Sequence, residues 1–295
     1  MKHILLLLLA LATAAPAADP TPAPKPSILQ RLTGGDAKPA PPANPASKPT
    51  PAPSTPINFP YTPAVRDDGR HVVALDIGHT LAVHGSTSAR GKGEFDFNQR
   101  IVRQLAARLE KSRVVFPFVI NPDGGKIGLL DRPRIAAQQG AELFLAIHHD
   151  AAAEKYELPW EPNGDGVKQR YCDQFRGYGA FMSMKNREPG RSLIFARALG
   201  AAMRAQGFVF ATHHAEAIPG ENRTILDPDR GVYQYDDLIV LKHAPMPAAL
   251  LECGVIINRA EELELEKPET QARIVEAAAS AIEQFFRAPA AAGGR

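Results

Sequence analysis

The chain has few cysteines, no dominant charge sign and no internal repeat. Its 295 residues include only Cys172 and Cys253, too few for the disulfide framework of a small secreted domain. Both are predicted to be unpaired, with Cys253 buried, although an oxidising compartment would allow them to pair. Lys and Arg number 34 against 32 Asp and Glu, so there is no basic excess of the kind that nucleic-acid binding requires. No similarity recurs at solenoid periods, which excludes a repeat array.

A long apolar run of the kind that spans a membrane is also missing. The N-terminal run ILLLLLALA at residues 4–12 follows Lys2 and His3 and precedes small residues. This pattern predicts a secretory signal peptide over residues 1–18 and a periplasmic or secreted protein. The run is shorter than the ~20 residues of a spanning helix, so no stable membrane span is expected after cleavage.

Residues 19–66 are rich in Pro and Ala and poor in side chains that could form a core. We expect a disordered, semi-rigid linker there. An apolar patch at Ile28–Gly35 interrupts it, either as a docking motif or by chance. One catalytic domain is expected at residues 67–287, with a flexible tail at 288–295.

Apolar runs and amphipathic stretches alternate along residues 67–287. Strands are predicted at residues 71–79, 113–120, 141–150, 177–184, 236–242 and 246–258. Helices are predicted at residues 97–112, 129–140, 191–207 and 268–287. The alternation indicates an α/β fold, a three-layer sandwich with a mainly parallel twisted sheet and helices on both faces. Pro117 marks the second strand as an edge strand or a bulge.

Three residues with metal-binding or acid–base side chains lie at the carboxyl ends of predicted strands. They are His79, His148 and Glu252, and Glu94 lies at the start of the first helix. Ligands of α/β sheets bind beyond these strand ends. Two His and one Glu are a ligand set that suits a catalytic zinc ion. A histidine at a strand end is more often a core or surface residue, so spacing alone leaves both interpretations open.

Four segments together resemble the zinc-dependent N-acetylmuramoyl-L-alanine amidases of the bacterial cell wall. They read LDIGHT, GKGEFDFN, LLDRPRIAAQQGAELFLAIHHDA and MPAALLECGVIIN, in the order of the family's motifs. The resemblance extends over residues 72–286 and implies the family's fold, peptidoglycan as substrate and one Zn²⁺ per chain. It also implies that His79, Glu94 and His148 are the metal ligands and that Glu252 is the catalytic base.

The reaction that the resemblance implies is hydrolysis of the amide between N-acetylmuramic acid and L-alanine. Asp76, Asn98, Arg132 and His149 are candidates for orienting the ligands or for contacting substrate. Arg132 fits two roles equally well, a clamp for a substrate carboxylate or a structural ion pair. An activator or divisome partner is compatible with the family, but the sequence does not identify one.

The four motif segments differ from the family pattern at three places. Ile77 and Thr80 stand where the family usually has Pro and Gly. The motif AIHHDA doubles the histidine, and the alignment selects His148 as the ligand. Neighbouring strand residues point to opposite faces, so His149 is expected to be an orienting or surface residue.

An insertion at residues 152–176 follows the third strand and is longer than ordinary connections of ~4–6 residues. We predict that it partly covers the site, with Glu154, Glu157 or Glu161 able to occupy the open zinc position. Its aromatic residues Tyr156 and Trp160 would stack on a glycan or form a local apolar cluster.

A second pair of histidines, His213 and His214, lies near Glu216. A second metal site is one interpretation of this pair, and a solvated loop is the favoured one.

Two other functions stay open at this stage. A zinc carboxypeptidase or N-acyl amino acid hydrolase on the same scaffold would need a cation for a free carboxylate, and Arg132, Arg223 and Arg230 are candidates. A non-catalytic peptidoglycan-binding regulator would be expected to lack a ligand or Glu252, and all four residues are present.

Overall fold

The computed structural model describes residues 59–288. The strands are β1 (His71–Ile77), β2 (Val115–Ile120), β3 (Leu143–Asp150), β4 (Leu158–Trp160), β5 (Gln169–Tyr171), β6 (Gly179–Met182), β7 (Thr224–Asp227), β8 (Val232–Gln234) and β9 (Ala248–Val255). The α-helices are α1 (Glu94–Glu110), α2 (Asp131–Gln138), α3 (Pro189–Ala205), α4 (Ile239–Lys242), α5 (Arg259–Leu265) and α6 (Pro268–Arg287). Short 3₁₀ turns lie at Glu154–Tyr156 and His213–Ala215.

A seven-stranded sheet in the order β2-β1-β3-β9-β6-β8-β7 forms the middle layer. The pairs among β2, β1, β3 and β9 are parallel, as is β6 with β8. Two pairs, β6 with β9 and β7 with β8, are antiparallel. The predicted mainly parallel sheet is therefore confirmed, and Pro117 lies on edge strand β2, where a missing N–H is tolerated.

Helices cover both faces of this sheet, as predicted. Alternate residues of one strand enter different cores, because successive strand side chains point to opposite faces. Leu75 and Ile77 pack in the core under α1, α3 and α6, whereas Val72 and Ala74 pack in the core beside α2 and α4. The stripe of α1 that includes Ile101 is buried as its four-residue spacing indicates.

The prediction of a strand at residues 236–242 is wrong, because this segment contains the short helix α4. A short apolar run does not reveal its secondary structure by periodicity, so Leu238–Leu241 suited either element. The sheet is completed instead by β7 and β8, which lie on the stretch just before this run.

The folded part begins earlier than the predicted linker end at residue 66. Phe59 and Tyr61 pack against the core beside α2, and the Tyr61 hydroxyl donates to the Ala141 carbonyl at 2.8 Å. The Ala64 amide donates to the Gly140 carbonyl at 2.8 Å. Residues 59–66 therefore line the domain in an ordered path. The predicted signal peptide, the patch at Ile28–Gly35 and most of the tail lie outside the described residues.

Both cysteines are free and buried, in agreement with the prediction that they do not pair. Within residues 59–288, no helix has the length and apolar character needed to cross a membrane.

Candidate metal centre

His79 lies just beyond the end of β1, on a backbone that turns sharply. Its φ of +68° is in the left-handed region, which non-glycine residues rarely adopt unless their surroundings hold them there. Two side chains hold this backbone: Arg132 Nη2 donates to the His79 carbonyl at 2.6 Å, and Asn121 Nδ2 donates to it at 3.4 Å. This turn aims the imidazole of His79 toward the start of α1.

Glu94 in the first turn of α1 is the centre of the site. Its side chain is fully buried, and Oε2 lies 3.0 Å from His79 Nε2. Oε1 lies 2.9 Å from His148 Nδ1, at the carboxyl end of β3. The ligand atoms of these three residues all lie within 4.8 Å of one another. The structure thus brings together the three predicted ligands, which the sequence separates by up to 69 positions.

Backbone and side-chain donors fix the Glu94 carboxylate in place. The Ser86 amide donates to Oε2 at 2.9 Å, and the His149 amide donates to Oε1 at 3.2 Å. Asn98, one helical turn along α1, donates to Oε1 at 3.1 Å and also to the Gly78 carbonyl at 3.2 Å. Burial by itself would raise the pKa of Glu94, but His79 and His148 lower it well below its usual value. The carboxylate is therefore held in the ionised form that a metal ligand requires.

The His149 side chain contacts Asn98, which in turn donates to the ligand Glu94. Its Nδ1 lies 2.8 Å from Asn98 Oδ1, and its ring packs against Phe97. Burial lowers the pKa of His149 to about 3, so the ring is neutral. Burial also lowers the pKa of His148, which leaves a neutral imidazole available for coordination.

Two glycines permit the close approach of these side chains. A Cβ on Gly78 would lie 2.4 Å from His148 Nε2, and a Cβ on Gly85 would lie 2.4 Å from Glu94 Oε2. Gly78 lies within the motif LDIGHT and Gly85 lies five residues after it, and the motif alone indicated no role for either glycine.

Arg132 has a structural role. It is 3% exposed, and Nη1 donates at 2.6 Å both to Asp76 Oδ1 and to the Ile77 carbonyl. With its third bond to the His79 carbonyl, the guanidinium fixes the turn that carries His79. Of the two predicted roles, the buried ion pair with Asp76 is the one that the geometry supports.

Glu252 lies on β9 directly beside His148 of β3 in the sheet register. It is 1% exposed, and neither carboxylate oxygen has a hydrogen-bond partner within the part of the chain that the structure describes. Burial raises the pKa of Glu252 well above its usual value, and the nearby carboxylates of Asp150, Glu94 and Glu221 raise it further. An unpaired buried carboxyl next to a ligand set is a candidate acid–base group.

A cleft of about 630 Å³ opens onto His79 and His148. Its other walls come from the loop before α2 and from α4, including Lys126, Leu129 and Val240.

The insertion packs elsewhere and does not line this cleft. The Trp160 Nε1–H donates to the Ala89 carbonyl at 2.8 Å, and Cys172 packs with Val255 and Ile257 beyond the end of β9. Trp160 thus contacts the loop between His79 and Glu94, and β4 with β5 forms a small antiparallel hairpin.

The three predicted gating carboxylates belong to the insertion itself. Glu157 pairs with Arg170 at 2.7 Å, and Glu161 accepts a hydrogen bond from the Gly166 amide at 2.6 Å. The backbone carbonyl of Glu154 accepts a hydrogen bond from Arg170, also within the insertion, at 3.5 Å. The structure does not bring these carboxylates to the ligand set, so gating stays a prediction without structural support.

The expected solvated loop at His213 and His214 is wrong, because these side chains are 3% and 1% exposed. They lie against Asp150, two residues after His148, and not against Glu216, which instead accepts a hydrogen bond from Tyr156 at 2.7 Å. Burial lowers the pKa of His214, but Asp150 and Glu221 outweigh burial and raise it to about 9. Sequence reasoning missed Asp150 and Glu221 as partners, since only tertiary folding joins them to the pair.

A buried His-Glu-His set beside an unpaired carboxyl, at the carboxyl edge of a mainly parallel sheet, is typical of metal-dependent hydrolases. A family model described as N-acetylmuramoyl-L-alanine amidase matches residues 73–284. The chain belongs to this family of amidases, and the prediction of the family is confirmed. A comparison with curated proteins finds no match.

Solved structures of amidases share this fold. The N-acetylmuramoyl-L-alanine amidase from Clostridium difficile 630 is 22% identical over 74% of this chain and 97% of its own, with a TM-score of 0.56. The amidase Ami1 from Mycobacterium smegmatis is 19% identical over 73% of this chain and 96% of its own, with a TM-score of 0.57. The CwlD amidase from Clostridioides difficile, solved with the GerS lipoprotein, is 18% identical over 73% and 98%, with a TM-score of 0.54.

Proposed function

We propose that this protein is a zinc-dependent hydrolase, exported from the cytoplasm, that cleaves the amide between N-acetylmuramic acid and L-alanine in peptidoglycan. The observation that carries the proposal is the juxtaposition of His79, Glu94 and His148 with the unpaired carboxyl of Glu252. The family membership supplies the substrate class.

The residues present fit a zinc ion. Two imidazoles and one carboxylate are a ligand set of catalytic zinc sites, and they leave one coordination position open. His79 Nε2 is buried and has no hydrogen-bond partner among the described residues, although Glu94 Oε2 lies only 3.0 Å away. A nitrogen that is close to a carboxylate oxygen but not bonded to it is well placed to share a cation with that oxygen.

Each residue then has a distinct task in amide hydrolysis. His79, Glu94 and His148 would hold the ion, which when bound supplies Lewis-acid activation of water and polarises the scissile carbonyl. Glu252 accepts a proton from the attacking water at a carboxylate oxygen and donates it to the nitrogen of the departing L-alanine. Arg132 and Asn98 act indirectly, because they position His79 and Glu94.

The protein is proposed to act in the periplasm or outside the cell, because its N-terminal apolar run is typical of a secretory signal. Peptidoglycan is the proposed partner. One amidase of this fold has been solved with a lipoprotein, so a protein activator is compatible with the proposal but not identified by it.

In the structure, the three arginines that could have bound a free substrate carboxylate in a competing hydrolase each contact another residue of the chain. Arg132 is committed to Asp76, and Arg230 pairs with Asp227 at 2.9 Å. Arg223 lies over the ring of Tyr235, with 3.5 Å between guanidinium carbon and ring centroid. These three arginines therefore give no support to a carboxypeptidase, and the intact set of four residues gives none to a non-catalytic binding protein.

Two variants test the assignment of roles. Glu252→Gln should keep the wild-type zinc content and lose about 10²–10⁴-fold in rate on peptidoglycan, the usual contribution of general acid–base catalysis. His148→Ala should lose one equivalent of zinc together with activity. Glu110→Gln, at an exposed position on α1, is the matched control and should change neither quantity. Retention of more than half the rate by Glu252→Gln would contradict the role of Glu252 as base.

A further inference from the structure

A second group of potential ligands lies at the end of β3, separate from His79, Glu94 and His148. Its members are Asp150, His213 and His214, here called the Asp150 cluster, and their ligand atoms lie within 4.8 Å of one another. Asp150 and His213 are each 3% exposed and His214 is 1% exposed. The proposed amidase reaction uses none of these three side chains.

Three polar atoms of the Asp150 cluster, Asp150 Oδ2 and the two histidine Nε2 atoms, are close together but not hydrogen-bonded. Asp150 Oδ2 lies 2.9 Å from His213 Nε2 and 2.7 Å from His214 Nε2. Yet all three atoms are buried without a hydrogen-bond partner of acceptable geometry within the described residues. Leaving three such atoms unsatisfied in the interior would cost free energy at each.

The same signature occurs at the ligand set of the amidase family in this molecule. His79 Nε2 lies 3.0 Å from Glu94 Oε2 and is likewise without a hydrogen bond among the described residues. In both places a ring nitrogen and a carboxylate oxygen lie within 3.0 Å of each other without meeting hydrogen-bond geometry. That arrangement suits coordination of one cation by both atoms.

Glu221 orients the Asp150 cluster as a supporting carboxylate orients a metal-bound histidine. Its Oε2 lies 2.9 Å from His214 Nδ1, on the side of the ring opposite Asp150. A proton on Nδ1, donated to Glu221, leaves the Nε2 lone pair free toward Asp150. Metal-ligating histidines usually have a partner of this kind on their second nitrogen.

Elements from three parts of the chain close over the Asp150 cluster. The ring of Phe175, at the end of the insertion, stacks on His213 with centroids 4.8 Å apart. Tyr156 of the insertion donates to Glu216, just after the 3₁₀ turn that carries both histidines. Phe181 and Tyr233 pack edge-on against His214. A cation here would tie the insertion and the histidine loop to the end of β3.

We propose that Asp150, His213 and His214 bind a second divalent transition-metal cation, with Glu221 orienting His214. Two imidazoles and one carboxylate suit Zn²⁺, and Co²⁺ accepts the same donors. Tetrahedral ligands at 2.0–2.1 Å from zinc are about 3.3 Å apart. Each histidine Nε2 therefore needs to move only about half an ångström away from Asp150 Oδ2 to admit the ion.

Charge compensation also favours a cation at the Asp150 cluster. Two buried carboxylates flank His214, those of Asp150 and Glu221, and they are 3% and 6% exposed. One divalent ion at the Asp150 cluster would balance both of them. The alternative is a cation-free cluster in which an imidazolium at His214 pairs with Asp150 and Glu221.

Metal stoichiometry separates these alternatives. The chain, freed of metal and reloaded with Zn²⁺ and separately with Co²⁺, should bind two equivalents by elemental analysis after dialysis. His214→Gln and His213→Gln should each bind one, and His148→Ala should also bind one. His71→Gln, at a partly exposed histidine outside both groups, is the control and should still bind two. One equivalent in the wild-type protein would overturn the proposal.

A measurement on the unaltered chain covers the case in which a variant fails to fold. Anomalous scattering at the zinc absorption edge from crystals of the wild-type protein should show two peaks, one of them between Asp150 Oδ2 and the two histidine rings. A single peak at His79, Glu94 and His148 would refute the second site. Either outcome is independent of whether the protein cleaves peptidoglycan, since activity is not the readout.

Discussion

Gly78→Ala perturbs the position of the proposed ligand His148 without replacing any ligand residue. The added Cβ would lie 2.4 Å from both Cε1 and Nε2 of the His148 ring. Ordinary contact distances are about 3.5 Å, so the ring must retreat by about 1 Å. The Gly78 backbone has no positive φ, so the substitution is a steric test of the ring position and not a test of backbone strain.

The size of the effect follows from the tolerance of metal coordination. Ligand distances in working sites fall within about 0.2 Å of their ideal values, and the required shift is several times larger. His148 Nδ1 would also leave its 2.9 Å contact with Glu94 Oε1. Perturbations of supporting residues typically cost 10–100-fold in metal affinity, and displacing a ligand itself should cost at least that much. Overpacking should also lower the free energy of unfolding by about 1–3 kcal/mol.

Zinc affinity is measured by competition with a chromophoric chelator, and the rate by release of dye from labelled peptidoglycan. Gly190→Ala is the matched control, since a Cβ at this helical position meets no atom within 4 Å. The control should leave affinity and rate unchanged and leave stability equal or slightly higher. If Gly78→Ala kept zinc affinity and rate within twofold of wild type, the assigned position of His148 at the metal would be refuted.

Two further predictions concern residues that support the domain. Arg132→Ala removes the partner of buried Asp76 and should lower the free energy of unfolding by about 3–5 kcal/mol, measured by urea denaturation. A loss below about 1 kcal/mol would show that the ion pair does not hold the turn at His79. Tyr61→Phe removes a hydrogen bond to Ala141 and should cost about 0.5–1.5 kcal/mol in the same assay. Unchanged stability would indicate that residues 59–66 do not contribute to the fold.

Much of the fold is readable from the sequence because its signals are local. The four-residue spacing of Phe97, Ile101, Leu105 and Leu109 predicts α1, and burial of those residues confirms it. Pro117 indicates an edge strand for a reason that lies in one residue, its missing N–H. The short run at residues 236–242 was misassigned because periodicity needs more residues than it contains.

The candidate site is less readable, because its parts meet only in three dimensions. His79, Glu94 and His148 were identified through the motifs, not through spacing. The sequence left Arg132 with two roles, and only its buried contact with Asp76 distinguishes them. Nothing local joins Asp150 to a histidine pair more than sixty positions later, so the Asp150 cluster becomes visible only in the structure.

The insertion illustrates the same limit. Its root follows His148 closely, which suggested a cover over the site. The chain instead leads away past β9, where Cys172 packs with Val255 and Ile257. Position along the sequence does not determine the direction in which a loop leaves a strand end.

Product analysis tests the central claim most directly. Purified peptidoglycan sacculi are incubated with the zinc-loaded protein and with Glu252→Gln, and the released material is identified by mass spectrometry. Cleavage of the proposed amide predicts free stem peptides that begin with the amino group of L-alanine, and glycan strands whose lactyl carboxyl groups are free. Glu252→Gln should release almost none. Release of single C-terminal amino acids, or of fragments that keep the lactyl–alanine bond, would contradict the account, as would equal release by both proteins.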